Sequence, residues 1–215
     1  MNAIAPVAHS SKTKLLDAAL RVIRSKGYSA TTLDDICAAA GVTKGSFFHH
    51  FSGKEDLALA AVNHWNSVTG GLFASAPYQQ VPDPRERILA YIDFRAQIVQ
   101  GDLSDVTCLL GTMVQETFDS HPAIRAACRE GIEGHAQTLV PMIEAAKALY
   151  APDADWTAES LALYTQAALQ GAFIVAKAQG HSDIAAQCIG HLRRYVAGLL
   201  TPNKVIDPTQ GATHD

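Results

Sequence analysis

From Lys12 to Lys26 apolar residues recur at Leu16, Ala19, Leu20 and Ile23. That i, i+3, i+4, i+7 spacing gives a helix one apolar stripe. Gly27 comes next, a residue able to end the helix in a left-handed cap. Thr31 and Thr32 then precede a second, shorter stripe of Leu33, Ile36, Cys37 and Ala40. Their hydroxyls suit the orphan amides of a helix start, and Asp34 and Asp35 complement the dipole of its first turn. Gly41 and Val42 form a tight break, and Thr43 offers another N-cap. The pattern predicts a third helix from Lys44 to about His50, interrupted by Ser52 and Gly53. A fourth begins near Lys54, with Ser52 and Glu55 at the spacing of a capping box. It runs on through Leu57, Ala61, His64, Trp65 and Val68, joining the small N-terminal unit to the rest of the chain without a flexible linker.

After a proline-rich loop at Pro77 to Pro84, helical periodicity resumes over 85–100, 107–119, 122–149, 157–179 and 183–199, with no strand alternation of any length. The fold class is therefore all-α, with about nine helices. Pro122 is expected at a helix start, Pro141 at a kink and Pro152 in a loop. The division expected is a disordered arm at 1–11, a helix-turn-helix unit at 12–58, a helical body at 59–200 and a disordered tail at 201–215.

Composition narrows the function. No apolar run approaches the roughly 18 to 20 residues of a membrane span, and the first residues lack the basic and apolar regions of a secretory signal. A cytoplasmic protein that does not engage a membrane is expected. Cys37, Cys108, Cys128 and Cys188 are scattered and form no CxxC pair, so reduced thiols and no metal site are expected. The net charge of −4 conceals an asymmetry: residues 1–60 carry seven Lys/Arg against five Asp/Glu, and the remainder ten against sixteen. Only the N-terminal part favours a polyanion. Catalytic signatures are missing. There is no HExxH, GxSxG or P-loop, and Glu133 with His135 has the wrong spacing for a di-iron bundle. Neither an enzyme nor a cofactor is expected.

Two short helices joined by a glycine-containing turn, with a third packed before them, are the signature of a helix-turn-helix DNA reader. Gly41 fits the turn and Val42 plugs the core between the helices. Gly45 removes a side chain where the recognition helix comes closest to DNA, and Phe47 and Phe51 anchor that helix from behind. In this stretch, TTLDDICAAAGVTKGSFFHHFSGKEDL from Thr31 to Leu57, the chain resembles the TetR/AcrR family of regulators. The resemblance implies a homodimeric repressor of palindromic operator DNA, with two reading heads and a C-terminal domain that dimerises and binds a small-molecule inducer.

Carried over residue by residue, the resemblance places Lys44, Gly45 and Ser46 near base edges. It places Thr32, Thr43, His49, His50 and Lys54 at phosphates, with capping a second role for the two threonines. Adjacent histidines on a helix diverge by about 100° and do not make a metal site. Many members carry tyrosine where this chain has Phe48, which is left to meet a thymine methyl or to pack. Some present a base-reading cation where it has Asp34.

In the body, Phe94, Met113, His135 and Tyr164 are candidate ligand residues among small and aliphatic neighbours. The alanine-rich stretch Thr157 to Gln179, with 183–199, resembles the family's dimerising helix pair. CLLGTMVQE, beginning at Cys108, resembles a subset of members in which a cysteine here senses electrophiles or oxidants. A helix dipole there favours thiolate, and Lys177 is a candidate to lie nearby. The alternatives are thus a sensor acting through Cys108 and, more distantly, a helical ligand-binding module that does not bind DNA.

Overall fold

The computed structural model describes residues 10–201. Most of the arm and tail expected at the two ends lies outside the described residues. Ser10 and Ser11, assigned to that arm, instead cap and open the first helix. Ten α-helices are present among the described residues: α1 (Ser11–Lys26), α2 (Leu33–Ala40), α3 (Lys44–His50), α4 (Lys54–Ala74), α5 (Pro84–Ile98), α6 (Leu103–Val106), α7 (Leu109–Thr117), α8 (Pro122–Tyr150), α9 (Ala158–Gln179) and α10 (Asp183–Leu199). None is long and apolar enough to cross a membrane.

The caps follow from the sequence except at Gly27, which ends α1 at φ 87° and ψ 164° and not in the left-handed helical region expected, and at the start of α4. Ser10 Oγ accepts the Thr13 N–H at 3.2 Å, and Thr43 Oγ1 accepts that of Ser46 at 3.2 Å. Thr32 and Asp35 form a reciprocal box: Thr32 Oγ1 accepts the Asp35 N–H (3.2 Å) and Asp35 Oδ2 accepts the Thr32 N–H (2.8 Å). Gly41 closes α2 in the left-handed region, at φ 64° and ψ 37°. At α4 the expected pairing of Ser52 with Glu55 does not form. Gly53 is the N-cap, so the third helical residue is Asp56, and its carboxylate accepts the N–H (2.9 Å) and O–H (3.1 Å) of Ser52.

The helix expected over 107–119 is α7, which starts two residues later, and a short α6 that was not expected precedes it across Thr107. Thr107 is extended, at φ −85° and ψ 158°. The helix pattern lapses there because Arg24 of α1 binds the local carbonyls, donating to Asp105 (2.7 Å) and Thr107 (3.4 Å). Pro141 remains within α8, on its exposed side.

Two apolar cores hold the chain. One lies between α5, the later turns of α8, α9 and α10, around Ile92, Leu139, Leu169 and Ile189. The other contains Leu15, Ile23, Ile36, Phe47, Leu57 and Val62 of the first four helices together with Leu109, Leu110 and Met113 of α7 and Ile124 and Cys128 of α8. The N-terminal unit is therefore completed by residues from the body, and packing crosses the boundary expected at 58/59. Each of the buried Leu, Ile and Met side chains from α7 and α8 contributes about 1.5–3 kcal/mol.

A polar clamp reinforces this joint. Glu116, in the last turn of α7, accepts the backbone N–H groups of Tyr28 (3.2 Å) and Ser29 (2.7 Å) in the turn between α1 and α2. Gly27 sits directly under the carboxylate at φ 87°, and a Cβ there would collide with Oε1 of Glu116. Gly27→Ala is therefore expected to cost about 1–3 kcal/mol in urea unfolding, combining a disfavoured backbone region with loss of the clamp. Combined with Glu116→Ala it should cost less than the sum of the single changes, because they share one contact. Strict additivity in the double-mutant cycle would show that the clamp is not formed.

Candidate nucleic-acid interface and cavity

The third helix is short and stands on a buried aromatic base. Phe47 is fully buried and Phe51 nearly so, their ring centroids 5.7 Å apart. The opposite face is open, with Thr43, Lys44, Gly45, Phe48 and His49 exposed, Ser46 half-buried at its edge, and Thr32 exposed at the start of α2. Six of the residues predicted for DNA contact, Thr43 to Ser46, Phe48 and His49, thus lie on the leading end and outer side of one helix. Phe48 is 56% exposed, a large apolar side chain standing on Phe47 at 5.2 Å.

Three polar side chains of this surface are already engaged. Lys44 Nζ pairs with Asp34 Oδ1 at 2.7 Å across the turn from α2, and hydrogen bonding to Asp34 raises the lysine's pKa. Asp34 therefore neutralises the leading cation of α3 in the free chain. His50 Nε2 lies 2.7 Å from Ser11 Oγ, tying α3 to the start of α1. Lys54, expected at a phosphate, instead donates to the Ser29 carbonyl (3.2 Å) and lies 4.4 Å over the Tyr28 ring; burial lowers its pKa. Asp35 is held far below the usual carboxylate range by its bonds to Lys26, at 2.5 Å, and to Thr32.

Behind the reading head lies a cavity of about 310 Å³, walled by α1, α4, α5, the α6–α7 break, α8 and α9. Leu20 and Arg24 come from α1, Trp65 and Leu72 from α4, Arg95 from α5, His135 from α8 and Phe173 from α9. The predicted ligand residues scatter. His135 and Cys108 line the cavity. Phe94 packs against Phe73 and Tyr78, each at 5.9 Å, and does not line it. Met113 is completely buried in the N-terminal core. Tyr164 is 47% exposed on the outer face of α9, stacked on Tyr195 at 5.2 Å. Lys177 is also outside the cavity lining; its ammonium donates to Thr112 Oγ1 at 2.7 Å. That hydroxyl in turn donates to the Cys108 carbonyl at 2.9 Å, placing Lys177 one helical turn from the cysteine.

Two polar groups of the cavity lining, Gln166 and His135, are joined through the buried Tyr91 hydroxyl. Gln166 Nε2 donates to the Tyr91 hydroxyl at 3.4 Å, and that hydroxyl is 3.0 Å from His135 Nε2. Burial, with the charge of Arg95 beside it, pushes His135 down to about 4, so the imidazole is neutral at pH 7. The Tyr91 hydroxyl thus links Gln166 to the His135 ring. Arg95 lies over Phe73 (5.1 Å) and Phe173 (6.0 Å). Its Nε is buried without a hydrogen-bond partner among the described residues.

Arg24 and Arg95 were not singled out from the sequence. The available signal was a cation on an apolar stripe: Arg95 continues Ile88 and Ile92 toward Val99, and Arg24 continues Leu16 and Leu20. Glu116 carried no such signal, because the amides it binds lie far away in sequence.

Comparison with known proteins agrees with both halves. Residues 15–61 match the family model described as bacterial regulatory proteins of the tetR family. Residues 84–187 match the C-terminal domain of LmrA/YxaF-like transcriptional regulators. The chain is 27% identical to the transcriptional regulator AcuR of Cereibacter sphaeroides over 83% of its own length and 82% of that protein. It is 33% identical to the regulator LmrA of Bacillus subtilis, over 56% of this chain and 64% of the relative. Among solved structures, a TetR family regulator from Agrobacterium tumefaciens superposes with a TM-score of 0.74 at 22% identity, covering 89% of this chain and 97% of that one. The reduced form of Escherichia coli NemR does so at 0.73 and 21%, covering 86% and 96%. With a family reading head, a matching C-terminal domain and the shared fold, this chain is a member of the TetR/AcrR family of transcriptional regulators.

Proposed function

We propose that this regulator represses transcription from the cytoplasm, as a homodimer whose two α3 helices enter successive major grooves of a palindromic operator. A small molecule in the cavity releases it. The observation that carries this reading is that α1 and α4, the helices flanking the reading head, are also cavity walls, through Leu20, Arg24, Trp65 and Leu72. A ligand that displaces those side chains changes the angle at which α3 is held, and a dimer tolerates little change because half-sites repeat about every 34–36 Å. A second chain has an apolar surface to cover: Leu163, Tyr164, Ile174 and Val175 of α9 and Tyr195 of α10 each retain 42–52% exposure.

On DNA, Lys44 exchanges Asp34 for a base edge or phosphate while the amides of α3 and Thr43 face the backbone. Against a panel of operator variants in fluorescence anisotropy, Lys44→Ala should change the rank order as well as weaken binding, by about 1–3 kcal/mol at the base pair it reads. Asp34→Ala, which frees the same ammonium, should tighten binding at low salt. An unaltered ranking in Lys44→Ala would remove the base-reading role.

A second reading has one specific support. Cys108 caps α7 at the cavity wall, and the Lys177 ammonium is anchored one turn away on Thr112. There the thiolate attacks an electrophile, forming a carbon–sulfur bond and expelling the leaving group. Iodoacetamide, which loses iodide in that step, should release operator from the unaltered protein and not from Cys108→Ser. Equal release from both would sink this reading.

A further inference from the structure

Arg95 is a cation to which the described residues supply no ion-pair partner. It occupies the buried stripe of α5, held over the faces of Phe73 and Phe173, and it lines the cavity. None of the ion pairs among the described residues involves it, and its Nε is enclosed with no acceptor. Buried charged donors are ordinarily paired, since leaving one without an acceptor carries the full desolvation penalty.

The other charged groups around the cavity do not fill this role. Arg24, the second cation, is satisfied by the carbonyls of Leu20, Asp105 and Thr107 and lies over Trp65 at 5.0 Å. Asp105 is the acidic side chain of the lining, exposed and beside Arg24. Close to Arg95 the remaining polar groups are neutral. Tyr91 and Gln166 are committed to the chain that ends on His135 Nε2. His135 Nδ1 makes no hydrogen bond among the described residues, the ring's one bond being that of Nε2. One guanidinium without a partner among the described residues therefore borders a space lined also by Leu72, Leu110, Ile132 and Phe173 and by the neutral amides of Asn66 and Gln170.

We propose that the cavity takes a monocarboxylate with an apolar body, its carboxylate paired with Arg95 and its body lying against Leu72, Leu110 and Phe173. The proposal rests on the reading of this cavity as the inducer site and names the chemical class of the inducer. A single negative charge matches a single unpaired cation; a phosphate or dicarboxylate would bring a second charge with no partner. A wholly neutral ligand would leave Arg95 as it stands. The volume of about 310 Å³ lies at the small end of ligand cavities, which fits a ring-sized or medium-chain acid.

The test compares acids with their own amides on the full chain. Benzoate, cyclohexanecarboxylate and hexanoate are titrated calorimetrically beside benzamide, cyclohexanecarboxamide and hexanamide, with neutral indole as a further probe. The acids should bind roughly tenfold to a hundredfold more tightly than the amides, the range expected for one charge-assisted contact. Arg95→Met, which keeps the apolar stem over Phe73, should abolish that preference and leave amide binding unchanged. Acids and amides of equal affinity on the unaltered protein would overturn the proposal without any variant, as would an acid preference that survives Arg95→Met. If indole alone binds and the cavity-filling Leu72→Trp blocks it, the cavity is a ligand site but not one for carboxylates. If no probe binds, the inducer-site reading falls together with the proposal.

Discussion

The arrangement depends on the insertion of α7 and the start of α8 beneath the first four helices. Leu109, Leu110, Met113, Ile124 and Cys128 sit in the same apolar core as Leu15, Ile36 and Phe47. A three-helix unit of this size has little core of its own, and residues from the body complete it. The consequence is mechanical. With Glu116 binding the amides after Gly27 and Arg24 binding the carbonyls of the α6–α7 break, the reading head has apolar and polar attachments on both sides of α1. Motion of α1 or α4 is then transmitted to α3, because close-packed interiors shift between discrete arrangements instead of deforming gradually.

The cavity lies between the two cores. Its walls include α1 and α4 on one side and α5, α8 and α9 on the other, so a ligand there contacts the core of the head and the core of the body together. The polar interior is asymmetric: Arg24 is satisfied by the protein, whereas the Arg95 Nε is not. One cation holds the fold and the other is available for recognition. At the outer end, Lys44 is paired with Asp34, an exposed ion pair individually worth little.

The elements of the helix-turn-helix were legible in the sequence because they are local. Thr32, Gly41 and Thr43 act within three or four residues of their own positions, and the alternation of Phe47 and Phe51 with exposed Phe48 and His49 follows helical geometry. The capping error at Ser52 was an error of one residue in the start of α4. The short α6 and the extended Thr107 after it escaped because the Arg24 guanidinium that binds the Asp105 and Thr107 carbonyls is 81 and 83 residues away in the chain. Apolar periodicity also could not distinguish three environments. Met113 and Tyr164 both lie on apolar helical faces, yet one is sealed in the N-terminal core and the other stands at the surface; His135 alone of the four aromatic and methionine candidates reaches the cavity. Periodicity shows that a face is apolar, and only the packing of several helices decides whether it meets core, ligand or solvent.

Native-state hydrogen exchange across a urea series tests the central coupling most directly. If α7 is part of the head's core, the slowest amides of α1, such as Leu15 and Ile23, and those of α7, such as Met113, should open in one cooperative event with a common free energy and urea dependence. Exchange of α1 through α3 in a separate, lower-energy event, while α7 and α8 stay protected, would contradict the account.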